Sequence, residues 1–377
     1  MDNATLACYS SIEEMVSILQ PDQPIHCMYP EQLTQAATQF IKYFPGHTFY
    51  AIKANPDPYV LTHLHNAGIN HFDVASIKEV QMIYEMFADA HMAFMNPVKS
   101  PEAIHAAYFQ YGVRDFVTDT LEETVKIQKA TNFANDLTIV VRLAMDKGSA
   151  ACQLTNKFGC SDDEAVNLLQ IISKFAKVGI SFHVGSQTLD PQSYVTAIKK
   201  VGEVINKSKV KISVLDVGGG FPTPNLGMDI SPMLEYFDVI SRSIAKLKLP
   251  KKCQIWSEPG RALCGTCSTL VVRVELRKGD LLYINDGTYG NMLEVSSMNW
   301  KNSVKAIRDN VKDTELAPFK FYGPTCDSID YMAGPFMLPN NICTGDWIAI
   351  ESMGAYGSST QTHFNGFYSD IKVEIKA

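Results

Sequence analysis

Short apolar runs alternate with longer amphipathic segments from about residue 30 to residue 260. An apolar run of four to eight residues bounded by turn residues predicts a buried strand, whereas apolar positions three or four apart predict a helix. The predicted strands are 47–53, 71–76, 91–96, 115–119, 137–144, 179–186, 212–219 and 254–260. The predicted helices are 31–43, 57–67, 77–88, 101–111, 121–132, 162–178, 192–206 and 231–247. Eight strands alternating with helices favour an α/β fold, a (β/α)8 TIM barrel.

The alternation stops near residue 266, where runs such as STLVVRVELRKGDLLYINDG and GDWIAIESMGAYG predict strands joined by turns. We therefore expect a barrel over residues 30–265 and a second, mostly β domain over residues 266–377. The preceding stretch, 1–29, is polar and contains one amphipathic helix, from about Ser11 to Leu19. Ser10 or Ser11 could cap that helix.

Composition narrows the classes of function. The 377 residues are 46% hydrophobic and 19% charged, and 33 basic against 40 acidic residues give a net charge of −7. This balance argues against binding to nucleic acid or anionic membranes and mildly favours a cationic small substrate. The nine cysteines have no regular spacing, and Cys264 with Cys267 forms a C-x-x-C without the second pair that a zinc site needs. We expect no metal, no membrane span and a cytoplasmic location.

A lysine ends the first predicted barrel strand, in the run His47-Thr48-Phe49-Tyr50-Ala51-Ile52-Lys53. Burial of an unpaired ammonium group is costly, so either this lysine reaches solvent or it has a chemical role. A desolvated lysine has a lowered pKa and can form a Schiff base with an aldehyde. Asp73, at the end of the next strand, could orient or pair with Lys53.

Three later strand ends suit a cofactor that has a phosphate and a pyridine ring. The glycines Gly218, Gly219 and Gly220 leave backbone N–H groups open to an anion, although a tight turn would explain them equally well. Glu258 could hydrogen-bond a pyridinium nitrogen while Arg261 binds phosphate; the simpler alternative is a structural ion pair.

The third strand end carries His183 and Ser186. The histidine could stack on the cofactor ring and the serine could donate a hydrogen bond to phosphate, although a buried structural histidine is the common case.

The predicted β domain supplies further candidates. Cys326 lies in a Gly-Pro-Thr-Cys-Asp loop, where it could donate a proton beside Asp327, which could hold a substrate cation. Tyr356 offers a phenol to phosphate, and Phe364 offers an aromatic wall.

Nine of these stretches together resemble one family. YAIKANP, FDVAS, HVGSQ, DVGGGFP, EPGR, NDGTYG, GPTCDSID, GAYG and FNGF occur in this order between about residues 48 and 367. The chain resembles the fold-type III pyridoxal-phosphate decarboxylases, most of all the bacterial-type ornithine or lysine/ornithine decarboxylases. The resemblance implies an alanine-racemase-like barrel, a β domain that includes residues 1–29, and a homodimer with shared active sites. It also implies decarboxylation of a basic amino acid, with L-ornithine the expected substrate and putrescine, a polyamine precursor, the expected product.

The same resemblance assigns roles to residues. Lys53 would hold pyridoxal phosphate beside Asp73, His183 would stack on its ring, and Glu258 would pair with the ring nitrogen. The other expected cofactor contacts are Arg142, Ser186, Gly218, Gly219, Gly220, Gly260, Arg261 and Tyr356.

On the substrate side, Cys326 from the neighbouring subunit would reprotonate the α-carbon, and Asp327 would bind the distal ammonium group. Phe364 and Tyr289 would line the same side, and Lys157 would pair with Asp330 across the dimer.

Two positions depart from the family pattern. Where eukaryotic-type relatives place the aspartate that binds the distal amine, this chain has Met298, so Glu294 is our candidate for the second contact to the amine. Glutamate reaches one methylene further than aspartate, and a methylene discriminates by only about 1–3 kcal/mol, so dual use of ornithine and lysine is plausible. Gln187 replaces a common glycine and could either tighten the phosphate loop or shape the entrance.

Other functions fit less well. A non-catalytic relative of the antizyme-inhibitor type is expected to lose cofactor residues, which this chain retains. An amino-acid racemase shares the barrel but does not need the Cys-Asp loop. A decarboxylase of a conjugated ornithine would need a site for a bulky or anionic distal group, and diaminopimelate carries a second carboxylate that Asp327 and Glu294 would repel. Ornithine, lysine and arginine stay open.

Overall fold

The computed structural model describes residues 6–145, 150–152, 157–224, 228–298, 300–308 and 315–376. The chain begins with strand β1 (Cys8–Tyr9), helix α1 (Ile12–Leu19) and strand β2 (Ile25–Met28). Ser11 caps α1, since its hydroxyl accepts a hydrogen bond from the Glu14 N–H at 3.1 Å. The helix predicted for this stretch is confirmed.

The alternating segment forms a closed parallel barrel. Its helices are α2 (Pro30–Tyr43), α3 (Pro58–Asn66), α4 (Ile77–Met86), α5 (Pro101–Phe109), α6 (Leu121–Ala130), α7 (Asp162–Ile172), α8 (Gln192–Ser208), α9 (Met233–Ala245) and the short α10 (Arg261–Cys264). Its strands are β3 (His47–Ala51), β4 (His71–Val74), β5 (His91–Phe94), β6 (Asp115–Thr118), β7 (Thr138–Arg142), β9 (Lys177–Ser181), β11 (Val214–Asp216) and β12 (Gln254–Ser257). They close in the order β11-β12-β3-β4-β5-β6-β7-β9, so the predicted (β/α)8 barrel is confirmed.

Two details differ from prediction. Helix α7 ends at Ile172 and β9 begins at Lys177, whereas the apolar run 162–178 predicted one longer helix. The residues after Ser181 also leave the barrel wall, and a short strand β10 (Ser186–Thr188) pairs antiparallel with β8 (Ala150–Cys152). Apolar side chains continue past the end of α7 and past the end of β9, so the hydrophobic pattern alone could not locate these two boundaries.

The barrel has two apolar layers. One small cluster fills its interior and consists of Phe49, Ala93, Met95, Val117, Val140, Val214 and Trp256. A much larger cluster lies between the strands and the surrounding helices and includes fully buried Phe72, Phe116 and Tyr194. Burial on both faces explains why the barrel strands read as continuous apolar runs.

The remaining strands form one nine-stranded sheet. They are β1 and β2 with β13 (Ser268–Lys278), β14 (Leu281–Ile284), β15 (Val304–Ile307), β16 (Leu316–Tyr322), β17 (Tyr331–Pro339), β18 (Trp347–Ile350) and β19 (Lys372–Ile375). A single short helix, α11 (Leu293–Ser297), follows β14. We call this unit the β domain; the mostly β second domain is confirmed.

The N-terminal strands are built into this sheet, since β2 pairs with both β13 and β19 and β1 pairs with β19. Contacts also join the β domain to the carboxyl end of the barrel. The Asn55 side chain donates to the Gly354 carbonyl at 2.8 Å, and the Tyr356 N–H donates to the Ala54 carbonyl at 2.8 Å. These bonds place residues 354–356 directly beside the turn that carries Lys53.

No helix among the residues described above is both long enough and apolar enough to cross a membrane.

Candidate active site

Lys53 lies just past the carboxyl end of β3, in a 3-10 turn formed by Ile52–Ala54. Strand register places Asp73 opposite Ala51, and the carboxylate Oδ2 is 2.7 Å from the Lys53 Nζ. The lysine side chain is 48% exposed, whereas that of Asp73 is 1% exposed. The predicted pairing of Lys53 with Asp73 is present.

The lowered pKa expected for Lys53 is wrong for this arrangement. Burial by itself lowers the pKa of Lys53, but the nearby charges of Asp73 and then Glu258 outweigh it, and the pKa is raised above its usual value. The ammonium group is therefore held charged by the acids around it.

Two further acids meet at the ends of β11 and β12. Asp216 Oδ1 accepts a hydrogen bond from the Gly218 N–H at 2.8 Å, while Asp216 Oδ2 and Glu258 Oε1 are buried without a partner among the described residues. Burial, reinforced by the Asp216 charge, raises the pKa of Glu258 well above its usual range. Burial also raises the pKa of Asp216, to about 6. Each of these buried carboxylates therefore opposes ionisation of the other.

His183 faces the same group of residues from beyond the end of β9. Its Nδ1 accepts a hydrogen bond from the Gly185 N–H at 3.0 Å, so a proton on the neutral ring sits on Nε2. Burial, and then the cations Arg142 and Lys53, lower the pKa of His183 to about 3. A neutral imidazole is suited to stacking against an aromatic ring.

The glycines after β11 hold the backbone close to these side chains. A Cβ on Gly219 would lie 2.6 Å from the Glu258 carbonyl oxygen and 3.2 Å from His183 Nε2. Gly218 and Gly220 have φ values of +68° and +100°, which disfavour any residue with a Cβ. Gly260 is equally crowded, since its Cβ would come within 2.9 Å of the Ala54 Cβ.

Gln187 braces this glycine loop. Its fully buried amide donates to the Thr223 carbonyl at 2.9 Å and accepts from the Thr223 N–H at 2.8 Å. These bonds join Gln187 to the segment that follows the glycines and support the first of the two alternatives, in which Gln187 tightens the loop. Ser186 starts β10 immediately before it.

Arg261 opens α10 and is 7% exposed. Its guanidinium lies over the rings of Trp300 and Tyr356, at 4.5 and 4.9 Å from their centroids. Its Nη2 donates to both carboxylate oxygens of Glu294, at 2.6 and 2.7 Å. Glu294, expected to contact the substrate amine, is thus placed on the predicted phosphate-binding arginine.

The Cys326 loop forms a second group on the β domain. The Tyr289 hydroxyl donates to Asp327 Oδ2 at 2.6 Å, and the Tyr289 and Phe364 rings are 4.5 Å apart. Cys326 is exposed, and its N–H and Sγ lie 3.2 and 3.3 Å from Asn365 Oδ1. Across the described ranges, no hydrogen bond or ion pair links this group to Lys53.

Asp330, expected to pair with Lys157 across a dimer, is bonded within its own loop. Its Oδ1 accepts from the Thr288 N–H at 2.7 Å, and its Oδ2 accepts from the Thr325 N–H and hydroxyl at 3.0 and 2.7 Å. The side chain is 1% exposed. Lys157 lies over the Phe158 ring.

Sequence reasoning left two of these residues without a role. Asp216 begins the DVGGG stretch and Asn365 is the second residue of FNGF, but the sequence pattern suggests roles only for their neighbours. A polar residue at a predicted barrel strand end was the available signal for Asp216. Asn365 gave none, because its contact with Cys326 spans 39 residues.

The comparisons with known proteins agree with this geometry. Residues 30–265 match a sequence model described as the pyridoxal-binding domain of pyridoxal-dependent decarboxylases. The chain belongs to this family. It is 36% identical to a lysine/ornithine decarboxylase of Selenomonas ruminantium, covering 85% of this chain and 81% of that one. An ornithine decarboxylase of Saccharomyces cerevisiae is 30% identical over 85% of this chain and 73% of its own length.

Solved structures are similar over nearly the whole chain. A Paramecium bursaria Chlorella virus arginine decarboxylase gives a TM-score of 0.86 at 28% identity, covering 97% of this chain and 99% of that one. A Vibrio vulnificus lysine/ornithine decarboxylase complexed with putrescine gives 0.83 at 29% identity, covering 98% and 99%. The predicted fold type and dependence on pyridoxal phosphate are confirmed.

The side chains fit that cofactor. An aldehyde needs an amine, which Lys53 offers, and a pyridine nitrogen needs a hydrogen-bonding carboxyl partner, which the unpartnered Glu258 Oε1 offers. A phosphate needs open N–H groups and a cation. Gly219 and Gly220 offer the N–H groups, since the Gly218 N–H already donates to Asp216, and Arg261 offers the cation.

Proposed function

We propose that this enzyme decarboxylates L-ornithine to putrescine and CO2. One observation carries the choice of a substrate with a distal ammonium group: Asp327 is fixed beside Cys326 by the Tyr289 hydroxyl. That hydrogen bond, together with the Ile329 N–H, lowers the pKa of Asp327. The loop therefore presents a permanent negative charge next to a thiol, which suits an amino acid that is cationic at its far end.

Bound pyridoxal phosphate supplies an electron sink that lets a substrate carboxylate leave as CO2. Lys53 would supply, once deprotonated, the amine that holds the aldehyde, and Asp73 would orient its nitrogen and accept its hydrogen bond. Glu258 would pair with the ring nitrogen, and neutral His183 would stack on the ring. Cys326 carries a thiol proton that can be delivered to the α-carbon after CO2 has left.

A homodimer would unite the two groups of residues. Cys326, Asp327, Tyr289 and Phe364 contact one another on the β domain rather than Lys53. We propose that they complete the active site of a second subunit, with residues 30–265 as the cofactor domain and residues 1–29 and 266–377 as the domain that supplies this loop. Phe364 and Cys326 are exposed in the single chain, which supports their use in such a contact.

A second candidate is dual use of lysine and ornithine. It is supported by similarity to the lysine/ornithine decarboxylase of Selenomonas ruminantium, which is 36% identical to this chain. The two substrates differ by one methylene, which separates their rates by only about 10–200-fold.

The test uses purified protein with added pyridoxal phosphate and measures CO2 release from L-ornithine, L-lysine, L-arginine and diaminopimelate. The visible absorbance of the lysine-bound cofactor is recorded in the same preparation, with Lys53→Ala as the control. We expect the absorbance to be absent in the variant and kcat/KM to be highest for ornithine.

A higher kcat/KM for lysine or arginine would overturn the ornithine assignment. A bound cofactor with no CO2 from any substrate would overturn the proposed reaction and point to a conjugated substrate or a racemase. No cofactor binding by the wild-type protein would remove the basis of the proposal and favour a non-catalytic role.

A further inference from the structure

The contact between Glu294 and Arg261 is an unusual feature of this site. Arg261 is 7% exposed and the side chain of Glu294 is 17% exposed, so the ion pair is largely shielded from solvent. The carboxylate takes one nitrogen, Nη2, with both of its oxygens. Electrostatic attraction is strong in such an environment, because little water screens it.

The Nε–H group of the Arg261 guanidinium lacks a hydrogen-bond acceptor within the described part of the chain. Arg261 Nε is buried and has no hydrogen-bond partner among the described residues. The rings of Trp300 and Tyr356 lie against the guanidinium at 4.5 and 4.9 Å and limit where it can move. The arginine is therefore held with one donor free for an anion and with its positive charge already balanced by Glu294.

We propose that Glu294 is a positioning residue that fixes Arg261 and lowers its affinity for the cofactor's phosphate. This inference rests on the proposed function in one respect, namely that Arg261 meets that phosphate. An incoming phosphate must share the guanidinium with a carboxylate a few ångströms away, and the two anions repel each other. Glu294 thereby makes cofactor loading weaker and more reversible than Arg261 alone would allow.

The burial of Glu294 supports this role. Desolvation raises the pKa of Glu294 despite the opposing effect of Arg261. A second anion on Arg261 would raise it further, so the carboxylate is ready to take up a proton when phosphate arrives. Binding of phosphate would then be accompanied by uptake of a proton by Glu294, which removes the repulsion between the two anions.

The decisive variant is Glu294→Gln, which keeps an oxygen acceptor for Arg261 Nη2 and removes the charge. Apoprotein is titrated with pyridoxal phosphate and, separately, with pyridoxal, which lacks the phosphate. We expect the variant to bind pyridoxal phosphate on the order of tenfold more tightly than wild type and pyridoxal equally well. Inorganic phosphate should likewise stabilise the variant apoprotein more than wild type in a thermal-shift assay.

A matched control is Glu13→Gln, which removes the carboxylate of an exposed ion pair with Lys305, 2.6 Å long, in the β domain. It should leave both titrations unchanged. Should Glu294→Gln fold poorly, Glu294→Asp draws the charge back by one methylene and should give a smaller gain in affinity for pyridoxal phosphate.

Equal or weaker binding of pyridoxal phosphate by the folded Glu294 variants would overturn the proposal. A raised KM for the amino acid with unchanged cofactor affinity would overturn it too, and would return Glu294 to the substrate contact expected from the sequence. If wild type binds no pyridoxal phosphate, the cofactor assignment under the proposed function fails instead, which is a distinguishable result.

Discussion

A histidine at the amino end of the barrel should make the fold sensitive to acid. The ring of His71 lies between those of His47 and His91, with centroid distances of 4.7 and 5.2 Å, and 5.0 Å from that of Phe49. Burial, and then the two neighbouring histidines, lower the pKa of His71 from 6.5 to about 4, against the opposing charge of Asp115. Between about pH 4 and pH 6.5, protonation of His71 is therefore less favourable in the folded chain than in the unfolded chain.

The sign and size follow from linkage. Above pH 6.5 both states hold His71 neutral and it has no effect; as pH falls from 6.5 to about 4, the unfolded state gains the proton first and stability is lost. A pKa lowered to this extent corresponds to about 3 kcal/mol. Because the ring is partly exposed, solvent screening leaves about 1–2 kcal/mol.

The perturbation is His71→Gln, and the assay is thermal unfolding at pH 7.5 and pH 4.5. Wild type should lose more Tm between the two pH values than the variant does, by about 1–3 °C for a chain of this size. His105→Gln, an exposed histidine on α5, is the control and should behave as wild type. If wild type and His71→Gln lost the same Tm, the histidine contacts would have no role in acid sensitivity.

Two more changes test the site and the second core. Asp73→Asn removes the charge 2.7 Å from Lys53, so burial should then lower the Lys53 pKa below its wild-type value. The variant should capture pyridoxal faster than wild type at pH 8. An unchanged pH profile of pyridoxal capture would contradict the ion-pair argument. Phe321→Ala empties a fully buried position stacked on Phe336 at 3.9 Å and should cost about 3–5 kcal/mol of unfolding free energy, measured against the exposed Leu316→Ala, which should cost little.

The barrel could be predicted because its strands and its helices have different patterns of apolar and polar residues. Strands buried on both faces are short and continuously apolar, and the helices between them keep a polar face. Eight such units leave few alternatives to closure. Once closure is assumed, Lys53, Asp73 and Glu258 must share one end, because parallel strands point the same way.

The contacts between distant segments could not be predicted in the same way. Arg261 meets Glu294 only because the β domain folds back onto the barrel mouth, and the two residues are 33 positions apart. The direction of the Lys53 pKa shift was also predicted wrongly. The sequence indicates Asp73 as a partner, but it does not show that the charges of Asp73 and Glu258 together outweigh burial. Each miss is a pairing that depends on tertiary packing.

The charges at the barrel mouth support one further step of argument. Two buried acids, Asp216 and Glu258, lie near the cations Lys53 and Arg142, and burial opposes ionisation of both acids together. Burial raises the pKa of both carboxyl groups, and the charge of Asp216 raises the pKa of Glu258 further. A protonated pyridine ring withdraws electrons more strongly, so an acid beside the ring nitrogen would favour the proposed reaction. Under the proposed function, Glu258 would be that acid, and the charge of Asp216 would favour retention of its proton by opposing its ionisation.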